Sequence, residues 1–319
     1  MALLLKESDV EQLLTMPLAL ELVERAHREY STGQAIDVPR ERTRLPKAAL
    51  HLLQGAVPSA GVFGYKAYTS SREGIRFIVY VFGAERGNLE AIVEANRLGM
   101  VRTGAAGGVA AKWLARDDAK VAGVFGAGWQ AEGQVEALAQ VRRLERVKVF
   151  SRNPGKLAAF CERMGAKLGL EVVPAASAEE AVRASDILVT ITTSATPVFS
   201  GDWVAAGMHI NAAGSNSLLR QEIDETTVRK CSPVVVDSRA VAVKEAGDLL
   251  PAFEKGRLHA GALTELGEVV AGIRPGRTDR AQVTLFESQG MAIQDLVIAA
   301  ALAKMARERG LGREVDLGN

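Results

Sequence analysis

Between residues 121 and 153 the chain reads VAGVFGAGWQAEGQVEALAQVRRLERVKVFSRN. Within it, Gly126-Ala127-Gly128-Trp129-Gln130-Ala131 is a GxGxxA pattern that follows an apolar strand and opens a helix. Such a turn brings bare backbone and a helix N-terminus against an anion, and a second apolar strand follows at dinucleotide-binding spacing. That strand ends at Phe150, which puts Ser151, Arg152 and Asn153 where the ribose is recognised. A carboxylate there would accept from a 2′-hydroxyl and repel a 2′-phosphate. An arginine between a hydroxyl and an amide favours the phosphate through charge-assisted hydrogen bonds. The cofactor expected is NADP(H), preferred over NAD(H).

Lys66 draws notice through its neighbours. It stands between Tyr65 and Ala67 in the apolar run VFGYKAYT, a costly place for a charge unless an ion pair or a ligand uses it. Arg102 begins RTGAAGGVAAKWLA, whose small residues read as a helix that lets another backbone come close.

The composition excludes several classes. Lys+Arg 39 against Asp+Glu 38 gives no basic excess for nucleic acid or an anionic membrane. No run of 18 apolar residues occurs, and Lys6 and Glu7 interrupt the first apolar stretch too early for a signal peptide. Cys161 and Cys231 have no metal-type spacing, and His27, His51, His209 and His259 are scattered, so no metal is expected and a reduced cytoplasmic compartment is.

Ser8 to Glu11 has capping-box spacing for a first helix, and Thr15 with Pro17 begins a second that Gly33 stops. From about 37 to 94 the texture is β-like. From 120 onward VAGVF, VKVFS, LEVVP, DILVTIT, MHINAAG and PVVVDS alternate with helical stretches, one opened by a capping box from Ser177 to Glu180. That alternation predicts a parallel, doubly wound sheet. The tail QGMAIQDLVIAALAKMARERG predicts a long amphipathic helix ending at Gly310 and packing back on the N-terminal part. The expectation is an α/β protein: a Rossmann-type domain over 116–289, and a discontinuous α+β substrate and dimerisation domain over 1–115 completed by 290–319.

GYKAYT, RTGAAG, GAGWQA, HINAAGS, VVDSR, KEAGD, ELGEV and SQGMAIQDL together resemble the ornithine cyclodeaminase/mu-crystallin family over nearly the whole length. DILVTITTSATPVFSGDWVAAGMHINAAGSN and VVDSRAVAVKEAGDLL are particularly similar to mu-crystallin. The resemblance implies a homodimer and hydride chemistry on a small amino acid or its imine. It also implies roles. Arg102 and Thr103 match substrate-binding positions, an arginine fork suiting a carboxylate. Lys66 matches a lysine at the substrate carboxylate or reacting carbon, a clamp and a proton source. Arg42 resembles a third carboxylate contact, with Arg40 and Arg44 near enough to replace it. His51 falls near a glutamate that receives a distal amine in cyclodeaminases, and reads equally as a satisfied histidine. Thr192, Thr193, Ser194 and Ser288 would line the nicotinamide. Asp237 ends a strand at a carboxyl edge, as a site residue or a helix cap.

The departure is Asn216. Ornithine cyclodeaminases carry an aspartate there, followed by a lysine near Leu219 or Arg220, and an amide cannot act as a base near neutral pH. Mu-crystallin-type ketimine reductases also lack that acid. The leading expectation is NADPH-dependent reduction of a cyclic ketimine, Δ1-pyrroline-2-carboxylate or Δ1-piperideine-2-carboxylate. The alternatives are an alanine-type amino-acid dehydrogenase, an ornithine cyclodeaminase and a non-catalytic NADPH-binding crystallin-like protein.

Overall fold

A computed structural model describes residues 1–317 of the chain. They fall into two units: Met1–Arg102 with the segment from Met291 onward, and Thr103–Gly290. The first division lies inside a helix rather than after it at residue 115. The last two residues of the expected segment 290–319 lie outside the described residues.

The first unit opens with β1 (Ala2–Leu5), α1 (Glu7–Leu13) and α2 (Met16–Ser31). Five strands follow: β2 (Ile36–Arg44), β3 (Ala48–Val57), β4 (Val62–Ser71), β5 (Gly74–Gly83) and β6 (Leu89–Glu94). They pair antiparallel in chain order, and β1 adds in parallel beside β6. Thr15 caps α2 by accepting the N–H of Leu18, as its sequence suggests. The first helix departs from expectation. It starts at Glu7, with Asp9 accepting the N–H of Lys6, so Ser8 and Glu11 form no capping box. This start frees the Glu7 carboxylate to take the N–H groups of Asn96 and Arg97, the first turn of α3 (Asn96–Leu114).

Period-two alternation sorts β4. Val62, Gly64, Lys66 and Tyr68 are buried on one face, while Phe63 on the other is 41% exposed.

The second unit holds the rest of α3 and an eight-stranded sheet. In chain order come β7 (Val121–Phe125), α4 (Trp129–Val141), β8 (Arg146–Phe150), α5 (Pro154–Leu168) and β9 (Glu171–Pro174). Then come α6 (Ala178–Val182), β10 (Ile187–Thr190), β11 (His209–Ala212), α7 (Glu225–Lys230) and β12 (Cys231–Val236). The unit ends with α8 (Arg239–Glu245), α9 (Leu250–Glu254), β13 (Thr264–Glu265), α10 (Leu266–Val270) and β14 (Val283–Glu287).

Every pairing in this sheet is parallel, in the order β13-β12-β14-β11-β10-β7-β8-β9. Strands β10, β11 and β14 are buried at every position, as a sheet covered on both faces requires. From β7 the chain winds outward through β8 and β9, then crosses back to β10. The carboxyl ends of β7 and β10 therefore flank the switch point, where doubly wound sheets bind ligands. The small residues of α3 do what the sequence suggests: a Cβ on Gly104 would lie 2.2 Å from the carbonyl oxygen of Gly133 in α4.

The chain returns to the first unit as α11 (Ala292–Arg309) and β15 (Arg313–Val315). α11 packs against α2, β3, β4 and β5 and ends at Gly310, whose φ of +65° is the left-handed cap a glycine permits. It is less amphipathic than its sequence suggests. Residues 292–299 are all buried, Gln294 and Asp295 among them, and a buried charge is tolerated only when paired. Among the described residues no helix is long and apolar enough to cross a membrane.

Candidate active site

What pairs Asp295 is Lys66. Both carboxylate oxygens accept from Lys66 Nζ, at 3.0 and 3.1 Å, and Oδ1 also accepts from Arg102 Nε at 3.3 Å. The three side chains are fixed by three different elements: an inward position of β4, the second turn of α3 and the first turn of α11. An acid in a helix's first turn is favoured by the helix dipole. Gln294 extends the cluster, its Oε1 accepting from Arg102 and its Nε2 facing His27 at 3.0 Å.

Apolar walls enclose Lys66. The ring centre of Phe77 lies 4.9 Å from Nζ and that of Tyr68 5.9 Å away. Only 1% of Lys66 is exposed, and burial pulls its ammonium from 10.5 down to about 7, with Arg102 adding to the fall and Asp295 resisting it. A lysine so poised can give or take a proton near neutrality, which an ordinary lysine cannot.

β2 and β3 bring Arg42 opposite His51. Arg42 Nε donates to His51 Nδ1 at 3.2 Å, which leaves the ring proton on Nε2, 3.0 Å from Ser70 Oγ. The imidazole stacks on Tyr68 at 4.2 Å. Burial, then the positive charges of Arg42, Arg40 and Arg44, lower its pKa from 6.5 to about 4. His51 is a neutral histidine with both ring nitrogens engaged. Arg40 is buried with its guanidinium carbon 6.0 Å from the Tyr68 ring centre and acts on Lys66 electrostatically, whereas Arg44 is exposed. Thr103 follows Arg102 in α3, and its carbonyl accepts from Gln134 at 3.0 Å.

In the second unit the GxGxxA turn has the form that a dinucleotide needs. Gly126 has a φ of +117°, and a Cβ there would lie 2.6 Å from the carbonyl oxygen of Ile191, so only glycine lets the β7 and β10 loops close up. Gly128 caps α4 with no side chain, and the space its Cβ would enter is open. The buried Gln130 Oε1 has no hydrogen-bond partner. A bare helix N-terminus, with its N–H donors beside open space, fits a pyrophosphate. Ala127 and Trp129 complete the turn, with Trp129 42% exposed.

After β8, Ser151 Oγ accepts from the N–H of Asn153, and Asn153 caps α5 through Lys156. Asn153 thus has a structural duty. Arg152 is exposed and makes no ion pair among the described residues. After β10, Thr192 gives its N–H to Glu222 and its Oγ1 accepts from Ser194, while Thr193 is exposed. Ser288 Oγ donates to Asp237, which also accepts the N–H groups of Gln289 and Gly290. Asp237 ties the end of β14 in place. The cap position of α8 belongs to Ser238. Asn216 is half-buried in the loop that follows β11.

Asp295, Gln294 and Glu222 escaped the residue-by-residue reading. For the first two a signal was present: they are adjacent polar residues in a helix whose first twelve residues, 292–303, are otherwise apolar.

The model of the ornithine cyclodeaminase/mu-crystallin family matches residues 1–311. A Δ1-pyrroline-2-carboxylate reductase of Bacillus cereus is 37% identical over 243 residues, covering 76% of this chain and 74% of that protein. The solved structure of the Thermococcus litoralis Δ1-pyrroline-2-carboxylate reductase, in complex with NADH and L-proline, has a TM-score of 0.94 at 35% identity. It covers 98% of this chain and 100% of that one. An archaeal alanine dehydrogenase dimer with bound NAD has a TM-score of 0.94 at 32% identity, covering 99% of each chain. These likenesses bear out the expected α/β fold with its doubly wound, nucleotide-binding sheet.

Proposed function

The chain belongs to the ornithine cyclodeaminase/mu-crystallin family, and from that premise we propose that it reduces a cyclic ketimine acid to the amino acid. The substrate class is Δ1-pyrroline-2-carboxylate or Δ1-piperideine-2-carboxylate. The observation that carries this reading is the buried Lys66–Asp295–Arg102 cluster. It offers a guanidinium fork for a carboxylate beside a lysine able to part with a proton near pH 7. Reduction adds one hydride and one proton across C=N. A reduced nicotinamide, held by the turn from Gly126 to Gln130, would supply the hydride when bound. Arg102, with Arg42, holds the carboxylate, and Lys66 carries the proton that the nitrogen gains. Thr103 and the Asn216 amide orient; neither exchanges a proton near neutrality.

Cyclodeamination makes a further demand. Its distal ammonium must lose a proton before it can close a ring. Asn216 is no base, and His51 has its Nδ1 lone pair on Arg42 and its only ring proton directed at Ser70. We therefore expect the purified protein to consume NADPH with cyclic imines and to form negligible proline from ornithine with catalytic NAD+. Efficient proline formation would overturn the assignment. The likeness to an alanine dehydrogenase favours a 2-oxo acid plus ammonia as second reading, and the same absorbance assay at 340 nm separates the two.

For the cofactor we propose NADPH over NADH. The two solved relatives hold NADH and NAD, so a nicotinamide is the common ground, and Arg152 is what argues for the phosphate here. One charge-assisted contact contributes roughly 1.5–3 kcal/mol, about a ten- to hundredfold preference. In the same assay Arg152→Ala should narrow that preference, and equal use of both cofactors by the native protein would sink it.

We also propose a homodimer. The outer face of the first unit's sheet carries Leu50, Leu52 and Phe63, with Tyr65 stacked on Tyr80 at 4.8 Å and Phe63 on Phe82 at 5.7 Å. Such an apolar face calls for a cover, and a second copy provides one by two-fold symmetry. Light scattering should give twice the chain mass at micromolar concentration, and Phe63→Glu should halve it. A native monomer contradicts the proposal. A cytoplasmic location agrees with two buried, unpaired cysteines; reaction of either with disulfide partners in cell extracts would argue against it.

A further inference from the structure

Glu222 is wholly buried, away from Lys66 and its partners in sequence and unit, and the reduction as described makes no use of it. One carboxylate oxygen accepts the N–H of Thr192, just past β10, and the other accepts the N–H of Gly214, just past β11. Its own carbonyl takes the N–H of Val198, so the loop after β10 is held at two points. A Cβ on Gly214 would lie 2.4 Å from Glu222 Oε2 and 2.5 Å from the backbone of Thr192, so the fit leaves room for the carboxylate and for no side chain at 214.

The other loop is equally fixed. Asp248 accepts the N–H groups of Glu222 and Ile223, and Ser215 Oγ donates to the carbonyl of Arg220 at 3.0 Å. Residues 214–222 form a closed loop with Asn216 in it, clasped at its base by the Glu222 side chain.

We infer that Glu222 is a positioning residue for the reduction: its ionised carboxylate clasps the loop carrying Thr192–Ser194 to the loop carrying Asn216, and protonation opens the clasp. This rests on the reductase reading, in which those loops line the nicotinamide. Two backbone donors need two acceptors. An ionised carboxylate supplies both, whereas a protonated one turns a hydroxyl toward one of the N–H groups. Burial raises the Glu222 pKa from 4.5 to about 7, against the pull of its Thr192 hydrogen bonds and with the charge of Asp248 assisting. The charged neighbours that act on it most are acids, Asp248 and Glu287. Asp248 is raised to about 6 by burial, and Glu287 is raised well above the usual carboxylate range by burial and by the charges of Asp248 and Glu222. As pH falls through 7 the clasp is lost; above 7 it is complete.

The test is NADH binding, followed by nicotinamide fluorescence between pH 6 and 8.5, because NADH has no 2′-phosphate to titrate in that range. One linked proton with a pKa near 7 weakens binding about tenfold by pH 6. Glu222→Gln should bind weakly and equally at every pH, while Glu222→Asp should keep the acid limb. Affinity that is flat in the native protein, or an acid limb that persists in a Glu222→Gln protein with a native melting curve, overturns the inference. If that variant does not fold, the native titration decides alone. Binding of neither NADH nor NADPH at any pH would instead sink the reductase reading itself.

Discussion

Replacing Asp295 by Asn is expected to lower kcat/KM for the imine by about a hundred- to a thousandfold and to destabilise the protein. The carboxylate is the counter-ion of both Lys66 and Arg102, and all three are nearly inaccessible to water. Breaking a buried pair at one end leaves an uncompensated charge, which costs about 3–5 kcal/mol. Lys66 avoids most of that cost by giving up its proton. Asp295 is what holds its pKa up against burial and Arg102, so without Asp295 the pKa falls further below 7. A neutral lysine neither donates a proton nor attracts a carboxylate. The variant's kcat/KM should therefore recover as pH is lowered, its alkaline limb displaced to more acid pH, while NADPH binding to the second unit changes little. A variant within threefold of the native protein at pH 7, with an unmoved limb, would show that Asp295 is a packing residue.

The contrast between Lys66 and Asp295 shows what a sequence carries and what it withholds. Lys66 was legible because strand side chains alternate, and a charge at an inward position of an apolar strand contradicts its own local pattern. The cofactor turn was legible for a similar reason: Gly126 and Gly128 are needed by backbone geometry, which is local. Asp295 makes its contacts 229 residues away, so no spacing connects it with Lys66. Its helix reads as amphipathic in sequence, a pattern that gives no sign that Gln294 and Asp295 are both buried. Glu222 lay deeper still, because it bonds backbone N–H groups that carry no sequence signature at all. The helix start at Glu7 was misplaced for the same cause: its carboxylate serves another helix. Short-range periodicity set the strands; tertiary hydrogen bonds set the rest.

Lys66 itself allows the clamp and the proton source to be told apart. Lys66→Met keeps the length and apolar stem, removes one of the cations around Asp295, and leaves Arg102 to pair it, so the fold should be little disturbed. Loss of a general acid alone costs about a hundred- to ten-thousandfold. Lys66→Arg keeps the positive charge and can still contact a carboxylate, but a guanidinium does not release its proton near neutrality. If Lys66 is chiefly a clamp, Lys66→Arg should retain most of the activity. If it is the proton source, as we propose, kcat should fall about as far in Lys66→Arg as in Lys66→Met, with KM nearer the native value in the arginine variant. The pH profile adds an independent sign. The protonated lysine is the active form, so the Lys66 contribution is an alkaline limb: kcat/KM should decline as pH rises above about 7, whereas a fall on the acid side belongs to Glu222. A bound carboxylate raises the lysine pKa, which moves the decline in kcat to higher pH than the decline in kcat/KM. Both declines should vanish in the two variants. An alkaline limb that survives Lys66→Met would assign the proton to water or to another residue.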